Sequence, residues 1–245
     1  MTSTTGLTPL TRDAIARVDT SNLLGDVLQL PDHIRDAQWR VESARLDPVD
    51  TPGGLVVAGM GGSGVGAALA AAALGDQASR PILSAHAYGL PPWTTPDTTV
   101  LCASCSGDTE ETLACYDAAG ALGAPRIVTT AGGQLAEAAR RDGVPVIPIP
   151  GALQPRSAVA YLTVAALEVA AMCGCGPHLR SELDVAAAHA EKLIEEWGPD
   201  SLEDSLAKRL ARELHDTVPV ITGAGLAAPV AYRWKTQINE NAKIP

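Results

Sequence analysis

The 245-residue sequence predicts an α/β fold: a doubly wound, parallel five-stranded sheet in the flavodoxin-like order 2-1-3-4-5. Three observations carry that expectation. Short apolar runs alternate with helical runs of about ten residues between positions 55 and 148, the pattern of a parallel sheet covered on both faces. A glycine-rich turn follows the first of those runs, and a hydroxyl-rich turn follows the third. The length suits one to two domains and a sizeable core.

Residues 1–47 read as an N-terminal helical segment, with Leu23, Leu24, Val27, Leu28 and Ile34 spaced for one buried face. A Pro/Gly break from Pro48 to Gly54 opens the alternation. Strands are expected at Leu55–Ala58, Pro81–Ala85, Thr99–Ala103, Arg126–Thr129 and Val144–Pro148, with helices at Val65–Leu74, Glu110–Leu122 and Gln134–Arg141. A helix over Ser157–Met172 completes the first domain, 48–176. Residues 177–216 form a helical connector, Pro177–Glu196 and Ser201–Asp216, whose acidic surplus reads as a solvated face. A strand at Thr217–Thr222, the turn Gly223-Ala224-Gly225 and a helix from Leu226 to about Lys243 then make one β-α unit, 217–245. One such unit cannot close a core, so it either opens a second domain of a longer protein or needs a partner.

Charge and composition exclude several classes. With 28 acidic against 18 basic residues and a net charge of −10, binding to nucleic acid or anionic membranes is not expected. Met1 to Leu30 contains no apolar signal core, and Ala158–Cys175 is too short and is interrupted by Glu168. A cytoplasmic location is the expectation. Five cysteines fit reduced thiols. Cys102-Ala-Ser-Cys105 has C-x-x-C spacing and Cys173-Gly-Cys175 lies near His178. Cys102 falls inside an apolar strand, however, where a thiol behaves as a small hydrophobe. Metal or redox chemistry is therefore the less favoured reading of both pairs.

Gly59-Met-Gly61-Gly62-Ser63-Gly64 fits G-x-G-x-x-G between a strand and a helix, the fingerprint of a dinucleotide site. That site also needs an acid at the end of the second strand, and Ser84-Ala85-His86-Ala87-Tyr88 supplies none. An NAD(P)-binding protein is thus kept only as an alternative. The loop Ser104-Cys105-Ser106-Gly107-Asp108-Thr109 is more informative. Its hydroxyls lead into a helix N-terminus, where free amides and the helix dipole favour an anion; the same residues would also serve as a capping box. In the expected strand order both turns meet where the chain reverses. Neither supplies a lysine, so a phosphomonoester held by amides and hydroxyls is the expected ligand.

The two turns, together with Pro155-Arg156-Ser157-Ala158 and Gln237-Ile238-Asn239-Glu240-Asn241-Ala242-Lys243, resemble the sugar isomerase (SIS) domain. Within it they resemble the bifunctional phosphoglucose/phosphomannose isomerase family, from about Val56 to Pro245. The resemblance implies a first SIS domain, the start of a second, and conversion of glucose 6-phosphate or mannose 6-phosphate to fructose 6-phosphate through an enediol. It implies a phosphate cradle of Gly61, Gly62, Ser63, Ser104, Ser106 and Thr109. Glu240 would carry the proton between C1 and C2, and Arg156 would stabilise the enediolate. The implied partners are a sugar phosphate and a second copy in a homodimer, and the implied cofactors and metals are none.

The chemistry is consistent with those roles, since the exchange needs one base reaching two carbons and a fixed cation where negative charge develops. Ser157 could cap the helix that follows Arg156. Glu240 lies roughly 20 Å along its helix at 1.5 Å per residue, so it can act only if that helix end meets the first domain or another subunit. An exposed Arg233/Glu240 pair is the plainer alternative. Position 105 is Cys where the family commonly has an aromatic residue. The family also continues past this chain through an Asn-His segment and a later lysine, which reads as a C-terminal truncation. Impaired turnover, or a non-catalytic phosphosugar-binding module, is the corresponding expectation.

Overall fold

A computed structural model describes residues 9–245. Three helices lead in: α1 (Arg12–Ala16), α2 (Leu23–Leu28) and α3 (Leu30–Ser43). The Thr11 side chain accepts from the Ala14 amide to start α1, and α3 buries Pro31, His33, Ala37 and Val41. The sheet follows as β1 (Leu55–Ala58), β2 (Ile82–Ala85), β3 (Thr99–Ser104), β4 (Arg126–Thr130) and β5 (Val146–Pro148). It is parallel throughout and ordered β2-β1-β3-β4-β5, the order expected from the sequence. β2 and β5 start one and two residues later than expected, after Pro81 and Pro145, which lack the N–H a ladder needs.

The period-2 alternation of the strands divides the core into two layers. Leu55, Val57, Leu101, Ala103, Ile127 and Ile147 pack on one face with α3, α4 (Gly62–Leu74) and α7 (Val159–Met172). Val56, Ala58, Val100, Cys102 and Val128 pack on the other with α5 (Glu110–Leu122) and α6 (Gly133–Asp142). The sheet is therefore covered on both faces. α4 and α7 approach closely because α4 is built of glycine and alanine: a Cβ on Gly66 would come within 2.8 Å of Leu162. α7 carries the buried Glu168, whose Oε2 receives Arg180 Nη2 at 2.9 Å and His178 Nδ1 at 3.1 Å. His178 thus faces this carboxylate.

α8 (Arg180–Trp197), α9 (Leu206–Leu214) and α10 (Ala227–Gln237) complete the described chain. Residues 201–205 form a turn ahead of α9, which shortens the helix expected from Ser201. The strand expected at Thr217–Thr222 does not form. Val218 and Val220 are 67% and 86% exposed. A strand exists only by pairing, and every strand among the described residues belongs to the single sheet. α10 passes into a π-helical turn, Ile238–Ala242, and ends at Lys243 in a left-handed conformation. Among the described residues no helix is long and apolar enough to cross a membrane.

Candidate functional site

Two turns at the carboxyl ends of β1 and β3 begin the site. Gly61 caps α4 with φ +53°, a conformation glycine adopts without a Cβ penalty. Gly62 faces the turn after β5: a Cβ there would stand 3.2 Å from the Pro155 carbonyl oxygen and 3.9 Å from Arg156 Cα. Ser63 is buried, and its hydroxyl points to Cys105 Sγ at 3.9 Å. The glycine turn therefore adjoins both the hydroxyl loop and the Arg156 turn.

The hydroxyl loop is held from below. Gly107 has φ +77°, and any Cβ there would collide with the Gly132 carbonyl oxygen. Ala131 N donates to Cys105 O at 3.1 Å, Leu135 N to Gly107 O at 2.9 Å and Gln134 N to Asp108 Oδ1 at 3.0 Å. Ser104 Oγ accepts from Gly107 N at 3.0 Å and lies 2.8 Å from Thr109 Oγ1 and 3.5 Å from Ser106 Oγ. Ser106 Oγ accepts from Asp108 N at 3.2 Å. The capping box does not form, because Thr109 stands at the N-cap of α5 without a side-chain cap bond and its hydroxyl turns to Ser104. One proton is spent between Ser104 and Thr109, which leaves the other hydroxyl of that pair and Ser106 able to donate to another acceptor. The first-turn amides of Glu110, Glu111 and Thr112 find no acceptor among the described residues, as helix starts commonly leave them.

Arg156 stands in a one-turn 3-10 helix, Pro155–Ser157, after β5. Ser157 does not cap α7, since the N-cap position falls on Ala158. Arg156 Nη1 lies 3.8 Å from Glu240 Oε2, so the turn that follows α10 does return to the segment after β5. Tight Arg–carboxylate bonds are about 2.7–2.9 Å. The longer gap leaves both groups with capacity for a third partner. Arg156 Nε is buried and finds no partner among the described residues.

The sequence offers Arg233 only as an exposed partner of Glu240. In the structure Arg233 Nη2 donates to the Arg156 carbonyl oxygen. With the Gln237 amide oriented to satisfy its neighbours, its oxygen accepts from Arg233 Nη1 and Nη2 at 2.8 and 3.0 Å. Burial holds the Arg233 guanidinium below its ordinary pKa, and the nearby Glu240 charge opposes that shift. The surface Arg233/Glu240 pair is replaced by an Arg156–Glu240 approach with Arg233 beneath it. The available sequence signal was the i, i+4 spacing of Arg233 and Gln237.

A separate cavity of 930 Å³ runs between α4 and α10, lined by Met60, Gly61, Gly64, His86, Pro229 and Tyr232 among others. Of the anticipated cradle residues Gly61 borders it, and the hydroxyl loop lies outside. His86 occupies the place where a dinucleotide site would carry an acid, and its Nδ1 sits 2.8 Å from the Gly59 carbonyl oxygen. Burial pushes the thiols of Cys102, Cys105 and Cys115 above their ordinary range. No group of three or more metal-ligating side chains occurs among the described residues.

Similarity to known proteins enters here. Residues 203–245 match the bacterial phospho-glucose isomerase C-terminal SIS domain. The chain is 37% identical over 228 residues to the bifunctional phosphoglucose/phosphomannose isomerase of Caldicellulosiruptor bescii, covering 89% of this chain and 66% of that protein. It is 32% identical over 209 residues to the protein of the same description from Aquifex aeolicus, covering 85% and 61%. Among solved structures, the C-terminal domain of glucosamine-fructose-6-phosphate aminotransferase from Francisella tularensis superposes with a TM-score of 0.65 at 11% identity, over 89% of this chain and 66% of that one. Tagatose-6-phosphate ketose/aldose isomerase from Escherichia coli gives 0.55 at 15% identity, over 90% and 64%. These structural likenesses show the fold. The chain spans 66% and 61% of the lengths of these two curated relatives, and by sequence it belongs to the bifunctional phosphoglucose/phosphomannose isomerase family.

Proposed function

We propose that this chain binds a hexose 6-phosphate and supplies the base and the cationic donor for its aldose–ketose isomerisation. The reaction would join glucose 6-phosphate or mannose 6-phosphate to fructose 6-phosphate. In this reading the amides of Gly61 and Gly62 and the hydroxyls of Ser63, Ser104, Ser106 and Thr109 hold the phosphate. Glu240 takes the proton from C2 of the aldose or C1 of the ketose and returns it to the other carbon. Arg156 stabilises the oxygen that carries negative charge in the enediolate, a role suited to a guanidinium that stays protonated. The single observation that carries the reading is the 3.8 Å approach of Arg156 to Glu240, beside a glycine turn that abuts Arg156.

The same reading makes 48–176 a first SIS domain, 177–216 a connector and 217–245 the opening of a second, although the match to the C-terminal SIS domain already begins at residue 203. It also carries a cytoplasmic location and a homodimer, the latter supported by exposed Val218, Val220 and Leu226. The test is exchange of the C1 proton of fructose 6-phosphate with solvent deuterium, followed by NMR, in the wild type and Glu240→Gln. Exchange lost by about 10²–10⁴-fold in the variant, with binding retained, supports the proposal. Equal exchange in both proteins removes Glu240 from it. Binding with no exchange in either leaves a phosphosugar-binding module.

A further inference from the structure

Cys173 and Cys175 lie at the other end of the fold. α7 stops at Met172, and Cys173-Gly174-Cys175 turns back toward the start of β2. Gly174 takes φ +75°, which only glycine adopts cheaply. The turn is pinned on three sides. Ser79 N donates to Cys175 O at 2.7 Å, Ser79 Oγ to Gly174 O at 2.8 Å and Arg80 Nη1 to Cys173 O at 2.8 Å. Arg80 is itself paired with Asp50 at 2.6 Å. This fixed turn holds the two sulfurs 3.4 Å apart. A disulfide is about 2.05 Å long, so bond formation needs the two sulfurs to move together from contact distance.

Cys173 and Cys175 are both buried, at 1% and 0% exposure, and a small molecule would meet Cys173 first. Cys173 lines a cavity of 270 Å³ with Val49, Thr99, Pro125, Ile127 and Pro145. Those residues lie at or near the amino-terminal ends of the strands, the edge opposite the candidate phosphate cradle. The contact with Cys175, aided by the Thr51 and Thr99 hydroxyls, outweighs burial and lowers the Cys173 thiol below its ordinary range. Cys175, buried against Cys173, is pushed up. The close contact favours ionisation at one sulfur and keeps the proton on the other, the arrangement in which the first attacks and the second resolves.

We propose that Cys173 and Cys175 form a redox-active dithiol, closed to an intramolecular disulfide by a small hydroperoxide that enters through this cavity. Cys173 Sγ attacks one peroxide oxygen, the O–O bond breaks, and hydroxide leaves; Cys173 becomes a sulfenic acid. Cys175 Sγ then attacks that sulfur and the sulfenic oxygen departs as water. Two thiols and one hydrogen peroxide give one disulfide and two waters, with the two electrons lost by sulfur taken up by the O–O bond.

The test uses the full chain, hydrogen peroxide near stoichiometric amounts, alkylation after denaturation, and mass mapping. Arg156 and Arg180 bracket a tryptic peptide, 157–180, that holds both cysteines and no other. The expected result is that this peptide loses two hydrogens and escapes alkylation, reversibly with dithiothreitol, while Cys102, Cys105 and Cys115 remain alkylated. Cys175→Ser, with Cys175→Ala as a second variant, should stop at a dimedone-trappable sulfenic acid on Cys173. Five alkylated cysteines after peroxide, first oxidation at Cys105, or a disulfide between two chains would each overturn the proposal.

Discussion

Arg233 holds the peptide carbonyl of Arg156 from beneath while Arg156 reaches toward Glu240. The first residue belongs to α10 and the second to the turn after β5, so one side chain locks the last helix to the sheet edge where the chemistry is proposed. Removing it should loosen the spacing of Arg156 and Glu240 without touching the phosphate cradle. Arg233→Met is expected to lower stability by about 1–3 kcal/mol, the cost of leaving a partly buried carbonyl unpaired, measured by urea denaturation. C1 proton exchange should fall further than fructose 6-phosphate affinity. Equal loss of both would mean that Arg233 acts on the cradle as well.

The hydroxyl of Ser106 accepts from Asp108 N at 3.2 Å and touches Ser104 Oγ only at 3.5 Å, while Gly107 N and Thr109 close the loop around Ser104. Ser106→Ala should weaken fructose 6-phosphate binding by roughly tenfold, the worth of one hydrogen bond to a charged group. The melting temperature should move by no more than about 2 °C. Calorimetric titration and a thermal melt of the same preparation check both halves.

Glu168 is 3% exposed and depends on Arg180, which is 47% exposed and also pairs with Glu42. Breaking a fully buried pair costs about 3–5 kcal/mol. The exposure of Arg180 brings Arg180→Met to roughly 2–3 kcal/mol once solvent screening is allowed for. Glu168→Gln in the same chain should recover part of that loss, since the stranded charge is then gone. Urea midpoints of the wild type, the two single variants and the double variant test the coupling.

Tyr116 is buried with its hydroxyl 2.9 Å from Asp142 Oδ2. Burial first, and then that acceptor, push its phenol up to about 12, against about 10 in an unfolded chain. A raised pKa stabilises the fold fully below the unfolded value and ceases to do so as pH rises through the folded one. Stability should therefore fall between about pH 10 and pH 12. Tyr116→Phe should flatten that fall, measured by denaturant titration at stepped alkaline pH.

The elements that the sequence announced are those written in local stereochemistry. Leu55, Val56, Val57 and Ala58 read as a strand buried on both faces, and they divide between the two core layers. Gly61 and Gly107 mark turns because each adopts a positive φ. What depends on long-range placement was harder to read. Thr217–Thr222 has strand composition but, among the described residues, no neighbouring strand to pair with. Thr109 and Ser157 look like caps, yet Thr109 turns to Ser104 and the cap of α7 falls on Ala158. Arg233 became legible only once α10 was seen to cross the turn after β5.

The central claim is that two turns distant in sequence bind one phosphate, and backbone NMR tests it most directly. Inorganic phosphate, and then fructose 6-phosphate, would be titrated into ¹⁵N-labelled protein. The account predicts that the amides of Gly61 and Gly62 and those of Ser106 through Glu111 shift together along one isotherm. Shifts confined to one turn, or two separable isotherms, would contradict it.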